Sequence, residues 1–309
     1  MSFLNEIRTD LAFESRNFYL KEKCVTEISG IKAETVKNDI YSVTRVIIET
    51  KEAAEKIKKP VGKYITIHSP HIKTGLYTKE LSEALAKELS SLIPKTKKAP
   101  LTFVAGLGNS KVTPDAIGPM VLSSLIVTRH LRESATDLNL SPLSALAPGV
   151  LGITGIETAE ILQAVKDKIH PDYIIAIDAL ASRSASNVGC TIQISDTGIS
   201  PGSGVNNRRS ALNEETFSLP VIALGVPTVS DSSAVLYDAL KSLTDKLKKK
   251  DFPMYDEMIK SLIHTNENLM VTPKNIDAIV MRASAILSRG INLCIHDKLS
   301  YEEISDYIS

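Results

Sequence analysis

The sequence of 309 residues has little cysteine and no net charge. Its three cysteines, Cys24, Cys190 and Cys294, stand far apart, which argues against a disulfide framework and against a zinc site built from thiolates. Lysine plus arginine equals aspartate plus glutamate at 36 each. The overall charge therefore gives no electrostatic reason to expect direct binding of nucleic acid.

Long apolar runs are also missing. No run of apolar residues approaches the roughly 20 residues that a membrane crossing requires. The first residues lack the continuous apolar stretch of a secretory signal. We therefore expect a cytoplasmic protein without a membrane partner, and the chain is long enough to bury a sizeable core.

Short apolar, β-branched segments alternate with helical patterns in the middle of the chain. This alternation predicts an α/β fold: a doubly wound, mostly parallel sheet flanked by helices, with added N-terminal strands and C-terminal helices. Residues 1–25 are polar and are expected to form a mobile N-terminal segment. Residues 26–309 are expected to form one domain that is mainly helical from about residue 232. The predicted strands lie at 41–50, 63–68, near 103, at 173–177, 191–195 and 221–225.

A glycine turn after one predicted strand leads into a helix start that carries a carboxylate. The turn begins at Gly106, and Thr113 and Pro114 have the residue types of a helix cap and a first helical position. Asp115 is then expected in the first helical turn. An acid there is either a helix stabiliser or a functional group.

A second carboxylate, Asp178, directly follows the apolar run 173–177. We expect it at the carboxyl end of a buried strand, where open parallel sheets bind their ligands. Asp115 and Asp178 would then face one crevice. Two carboxylates close together share a proton and supply a general acid and a general base.

Familiar motifs fit poorly. Gly106 and Gly108 lack the third glycine of a dinucleotide-binding turn, because Lys111 stands in its place. Residues 198–202 match the Gly-x-Ser-x-Gly elbow of serine hydrolases, but Pro201 cannot supply the backbone N–H that this elbow needs. The glycine-rich loop still suits close approach of a substrate, and Arg208 suits a substrate carboxylate or the ordering of the loop. A loop that only packs over the sheet remains the alternative.

Several blocks of the sequence, in the same order, resemble the germination proteases of spore-forming bacteria. The blocks are RTDLA at 8–12, GLGN at 106–109, TPDAIGP at 113–119, APGV at 147–150, DALASR at 178–183, TIQISDTGI at 191–199 and GVPTV at 225–229. The resemblance implies an endopeptidase that degrades small acid-soluble spore proteins during germination. It also implies a homotetramer in the spore cytoplasm that is made as an inactive precursor.

The resemblance assigns roles to particular residues. It maps the two proposed catalytic aspartates of the family onto Asp115 and Asp178. Family substrates are cut after an acidic residue that precedes an apolar one, so self-processing is expected between Asp10 and Leu11, within a propeptide-like segment 1–25. The expected substrate-binding residues are Arg183, Gly198, Gly202, Ser203, Gly204 and Arg208, and backbone amides of the loop from Gly198 to Gly204 would stabilise an oxyanion.

Two other functions stay open at this point. The family's fold is similar to that of hydrogenase-maturation endopeptidases, whose acidic residues bind nickel. No cofactor is expected, but a nickel-dependent or other metal-dependent protease, with a divalent ion on Asp115, Asp178 and a distant histidine, is therefore an alternative. The other alternative is a ligand-binding module without catalysis.

Overall fold

A computed structural model describes residues 9–94, 99–131, 139–200, 210–237, 239 and 269–308. Its centre is one nine-stranded sheet in the order β1-β2-β3-β7-β8-β6-β4-β5, with the short β9 paired to β8. The strands are β1 (Ile31–Lys37), β2 (Ser42–Ile48), β3 (Gly62–His68), β4 (Thr102–Gly106), β5 (Leu143–Leu146), β6 (Tyr173–Ser182), β7 (Thr191–Ser195), β8 (Val221–Asp231) and β9 (Met270–Val271).

Two kinds of pairing meet in this sheet. Strands β5, β4, β6 and β8 are parallel to one another, as strands joined by crossover helices are. Strands β1, β2, β3 and β7 form an antiparallel extension, and β7 joins it to β8. The α/β fold class with added N-terminal strands is confirmed, and within the described residues parallel pairing is confined to β8, β6, β4 and β5, which form one end of the sheet.

Helices cover both faces of the sheet. The helices are α1 (Ala12–Lys23), α2 (Lys51–Ile57), α3 (His71–Thr74), α4 (Thr78–Ser90), α5 (Ile117–Leu122), α6 (Leu151–Thr154), α7 (Thr158–Ile169), α8 (Glu214–Phe217), α9 (Ile276–Ile295) and α10 (Tyr301–Ile308). Residues 232–237 are helical as well, so the described residues beyond 232 are mostly helical, as predicted.

Alternation along the strands separates two apolar layers. Ile175 and Ile177 of β6 join Ile192 and Ile194 of β7 in the larger layer, together with residues of α4, α5 and α9. On the other face Ile174 and Ala176 pack with residues of β4 and α7. A third cluster joins α1 and α2 to β2 and β3.

Helix α9 is long and apolar enough to cross a membrane by length and composition alone. The sequence showed no uninterrupted run of that kind, because polar residues are scattered along the helix. Most of the helix is buried inside the protein, where it packs against α4, α5 and α3. We therefore describe α9 as the core helix of this domain.

Three local predictions need correction. Strand β6 runs to Ser182, so Asp178 lies in its interior rather than at its end. Asp115 closes a short 3₁₀ turn, Thr113–Asp115, ahead of α5 instead of lying in the first turn of that helix, and the Thr113 side chain does not cap it. Residues 9–24 are not a loose terminus, because Leu11 and Ala12 are fully buried and α1 packs against α2.

Candidate active site

The turn after β4 depends on glycine. Gly108 has φ +105°, and a Cβ there would lie 2.0 Å from the carbonyl oxygen of Asp115. A Cβ on Gly106 would lie 2.6 Å from the carbonyl oxygen of Gly118. The missing side chains let the chain fold back tightly between β4 and α5. This folding brings the carboxylate of Asp115 to the backbone N–H of Asn109, which donates to it at 2.7 Å.

Asp178 lies where β4 turns away from β6. The last register pair of these strands joins Gly106 to Ile177, and the N–H of Leu107 still donates to the carbonyl of Ile177 at 2.8 Å. Asp178 comes one residue later and is 7% exposed. Its Oδ1 accepts the N–H of Ala179 at 2.9 Å. The end of β4 therefore brings both carboxylates to one level of the sheet, although β6 itself continues.

Asp115 and Asp178 line the same cavity, which has a volume of about 660 Å³. The crevice expected from the topology is therefore present, and both carboxylates stand in its wall. Its other side is formed by the antiparallel extension and the loop after β7, through residues that include Lys59, Tyr64, Gln193, Ser195, Thr197 and Gly198.

Asp10 enters this cavity from the N-terminal segment. Its N–H donates to the carbonyl of Ala181 at 2.9 Å, and its carboxylate accepts the N–H of Ala181 at 2.7 Å. The side-chain amide of Gln193 donates to the carbonyl of Asp10 at 2.9 Å and accepts the N–H of Ala12 at 2.8 Å. Leu11, between them, has no exposed surface. The segment is thus held by β6 and β7 at the residues where self-processing is expected.

A second acid of this segment, Glu14, is held just as firmly. Its carboxylate accepts the N–H of Arg183 at 2.7 Å, the N–H of Ser184 at 3.2 Å and the side-chain amide of Asn187 at 2.5 Å. The hydroxyl of Thr9 also donates to it. Glu14 is 8% exposed, and these donors compensate for its removal from water.

Lys59 places a half-buried lysine side chain beside both acids. Its ammonium donates to the carbonyl of Thr9 at 2.8 Å. Burial lowers the pKa of Lys59, while the nearby charges of Asp10 and Glu14 raise it in part. The contact joins the loop after α2 to the N-terminal segment.

The other predicted substrate-binding residues fall into three groups. Gly198 lines the cavity, and its φ of +71° and close approach to Leu212 require glycine. The guanidinium of Arg183 instead lies over the ring of Phe18 at 4.4 Å and near Tyr237 at 5.7 Å, so it holds α1. Gly202, Ser203, Gly204 and Arg208 lie outside the described residues.

Sequence reasoning missed Gln193 and Lys59. Gln193 takes one of the polar positions that alternate with Ile192 and Ile194 along β7, and the available signal was its long polar side chain, which lies on a buried face. Lys59 stands in the lysine-rich run 56–59, and such a run is typical of a solvated helix end or loop. Within the described ranges, no three His, Cys, Asp or Glu side chains form a group fit to hold a metal ion.

Comparison with known proteins gives consistent matches over nearly the whole chain. A family model described as germination protease matches residues 8–265. The germination protease of Clostridium perfringens (strain SM101) is 44% identical over 98% of this chain and 99% of its own length. That of Clostridium tetani is 42% identical over 98% of this chain and 99% of its own length. A solved structure, the NiFe hydrogenase maturation protease HycI from Thermococcus kodakarensis, matches 63% of this chain and 99% of its own at 14% identity and a TM-score of 0.29.

Proposed function

This chain belongs to the germination protease family and is a protease, and on that premise we propose that it cuts its own precursor between Asp10 and Leu11 and then degrades small acid-soluble spore proteins. The observation that carries the proposal is the position of Asp10. Asp10 lines the same cavity as Asp115 and Asp178, and Ala181 holds its backbone and its carboxylate. A segment with the expected cleavage pattern, an acid followed by an apolar residue, therefore borders the candidate catalytic cavity.

The same contacts support an inactive precursor. While residues 9–12 are bound to Ala181 and Gln193, a second peptide has no access to those backbone and side-chain groups. Removal of the first ten residues would free the groups of Ala181 and the Nε2 of Gln193 that Asp10 holds, and Oε1 of Gln193 would become free once the new N-terminus with Ala12 moves away. An unfolded substrate would then bind in their place, and small acid-soluble spore proteins are largely unfolded away from DNA. The proposal includes a homotetramer in the cytoplasm of the spore core, with no nucleic acid or membrane partner, which the family resemblance supports.

The chemistry we propose needs two carboxyl groups and one water molecule. One aspartate takes a proton from water, and the water oxygen attacks the carbonyl carbon of the scissile bond. The other aspartate gives a proton to the leaving amine as the carbon–nitrogen bond breaks. Both aspartates lie in the cavity wall. Asp178 belongs to strand β6 and Asp115 to the turn after β4, and a backbone N–H donates to each carboxylate and orients it.

The test is the intact mass of the purified full chain over time at mildly acidic pH. We expect the wild-type chain to lose ten residues, and the Asp115→Asn and Asp178→Asn variants to lose them at least about 100-fold more slowly. Asp167→Asn, on the exposed side of α7, is the matched control and should cleave like wild type. A wild-type chain that stays intact, and also leaves small acid-soluble spore proteins intact, would overturn the proposal. Inhibition by a chelator would favour the metal-dependent protease over the metal-free aspartate mechanism.

A further inference from the structure

The side chain of Gln193 contacts the peptide on both sides of Leu11. Its Nε2 donates to the carbonyl oxygen of Asp10 at 2.9 Å, and its Oε1 accepts the N–H of Ala12 at 2.8 Å. That carbonyl belongs to the Asp10–Leu11 bond. The reversed orientation of the amide would place Oε1 against the carbonyl oxygen of Asp10 and Nε2 against the N–H of Ala12, so the hydrogen bonds define its orientation. Gln193 is 7% exposed, so its amide has little access to water. The segment that it holds supplies a hydrogen-bond partner to each end of the amide.

Gln193 also shares a row of the sheet with Asp178. Gln193 pairs with Gly225 of β8, and Gly225 pairs with Asp178 of β6. Paired residues of neighbouring strands project to the same face, and two strand spacings separate these backbones by about 10 Å. Gly225 places no side chain between them. The side chain of Leu180 lies over Gly225. The amide and the carboxylate project from the same face of the sheet on either side of it, and both line the cavity.

We propose that Gln193 is a catalytic residue that stabilises the oxyanion of the reaction. The inference rests on the proposed function, because it takes Asp10–Leu11 as the bond that is cut. When the water oxygen bonds to the carbonyl carbon of Asp10, the electron pair of the C=O bond moves onto the carbonyl oxygen. The N–H of Gln193 already points at that oxygen. As the carbonyl re-forms, the C–N bond breaks and the amine of Leu11 takes the proton from the second aspartate, so the net reaction adds one water across the bond.

The second contact of Gln193 fixes which bond is cut. Because one rigid amide holds the carbonyl of one residue and the N–H two residues later, a shift of the peptide by one position would break both hydrogen bonds. The same amide therefore sets the register of the peptide and stabilises the charge that develops on its carbonyl. In other hydrolases, removal of a donor of this kind lowers the rate by about 100-fold to 1,000-fold.

The variant Gln193→Glu separates these two contributions. A carboxylate in this position still accepts the N–H of Ala12, but it cannot donate to the carbonyl of Asp10. At neutral pH we expect self-cleavage, measured by intact mass, to slow by about 100-fold or more. Hydrogen exchange in an Asp115→Asn background, which keeps the segment attached, should still show a protected Ala12 amide. The rate of the Glu variant should recover as the pH falls, because a protonated carboxyl group regains a donor.

Thr66→Val is the matched control. Thr66 of β3 pairs with Gln193, is 2% exposed, and its hydroxyl has no hydrogen-bond partner within the described part of the chain. The substitution keeps the shape of the side chain and should leave the cleavage rate unchanged. A Thr66→Val chain that slows as much as Gln193→Glu would attribute the effect to packing and would overturn the inference.

The remaining outcomes are distinguishable. If Gln193→Glu cleaves at the wild-type rate while Asp115→Asn and Asp178→Asn do not cleave, the role of Gln193 is wrong and the proposed function stands. If cleavage and Ala12 protection are lost together in Gln193→Glu, Gln193 only docks the segment, and its catalytic role is wrong. If the wild-type chain never cuts the Asp10–Leu11 bond, the self-processing proposal fails and this inference fails with it.

Discussion

Asp10 and Ala181 are joined by two hydrogen bonds in opposite directions. The N–H of Asp10 donates to the carbonyl of Ala181 at 2.9 Å, and the N–H of Ala181 donates to the carboxylate of Asp10 at 2.7 Å. One of these bonds uses the side chain, so it depends on an acceptor oxygen at this position and is strengthened by the negative charge of an acid. In the proposed self-processing, strand β6 itself would thus recognise the acidic residue before the bond to be cut, three residues beyond Asp178.

We expect Asp10→Ala to slow self-cleavage about 10-fold to 100-fold, since a hydrogen bond to a charged group contributes about 1.5–3 kcal/mol. Asp10→Glu keeps the charge and should lose less. The measurement is the rate of loss of the N-terminal residues by intact mass. Asp39→Ala, at an exposed turn between β1 and β2, is the matched control. Equal rates for Asp10→Ala and wild type would contradict recognition of the acid.

Lys59 makes docking of the N-terminal segment depend on pH. Burial lowers the pKa of Lys59. When the segment is released, Lys59 loses that burial and binds a proton more readily than it does while the segment is docked. At pH values between the lowered pKa of Lys59 and its ordinary pKa of about 10.4, docking becomes stronger as the pH rises and weaker as it falls. The slope is at most about 1.4 kcal/mol per pH unit.

The comparison is urea unfolding between pH 8 and 10 in chains that carry Asp115→Asn to prevent cleavage. We expect the free energy of unfolding to rise more steeply with pH when Lys59 is present than in Lys59→Met. Lys63→Met, at an exposed position of β3, should retain the steeper slope. Parallel slopes with and without Lys59 would show that its burial is not linked to stability.

Gly225, between Gln193 and Asp178 in the sheet, leaves room for the side chain of Leu180. A Cβ there would lie 2.6 Å from Cγ of Leu180 and 2.7 Å from the carbonyl oxygen of Asp178. We expect Gly225→Ala to lower the cleavage rate at least about 10-fold and the free energy of unfolding by about 1–3 kcal/mol, because β6 must shift.

Gly152→Ala is the control for this substitution. Gly152 lies in α6, and a Cβ there meets no atom within 4 Å. Cleavage should be unchanged, and the stability should stay equal or rise slightly. Rates and urea midpoints that are the same for the two alanine variants would count against a tight contact at Gly225.

His296 predicts loss of stability in acid. The ring has no exposed surface; its Nε2 donates to the carbonyl of Ile126 at 3.0 Å, and its Nδ1 accepts the N–H of Ser141 at 3.1 Å. Burial lowers the pKa of His296 below 6.5. The unfolded chain therefore takes up a proton first, and the free energy of unfolding falls as the pH drops below about 6.5, by at most about 1.4 kcal/mol per unit.

Urea unfolding at pH 7, 6 and 5 in the Asp115→Asn background measures this dependence. His296→Gln should reduce the slope, although it also lowers stability at pH 7. His130→Gln, at an exposed position, should leave the slope as it is. A slope that survives the loss of His296 would assign the acid sensitivity to other groups.

The sequence predicted six of the nine described strands, because hydrophobic alternation is a local property, and it missed β1, β5 and β9. It also predicted that Asp115 and Asp178 lie near each other, since the ends of parallel strands meet at one level. The continuation of β6 past Asp178 could not be predicted, because residues 178–182 are held there by β8 and by Asp10. Gln193 and Lys59 were missed because their partners in the N-terminal segment lie 181 and 50 residues away in the sequence.

The complete burial of Leu11 would make self-cleavage irreversible. In the intact chain, the backbone N–H of Leu11 is neutral and donates to the hydroxyl of Thr9 at 3.0 Å. Hydrolysis would turn this group into a terminal ammonium and the carbonyl of Asp10 into a terminal carboxylate at mildly acidic pH, and keeping two new charges buried costs free energy. The new end would be driven outward into solvent and the severed peptide would not rejoin. The charge created by the first cut would thus make self-cleavage irreversible and would open the cleft for the next substrate.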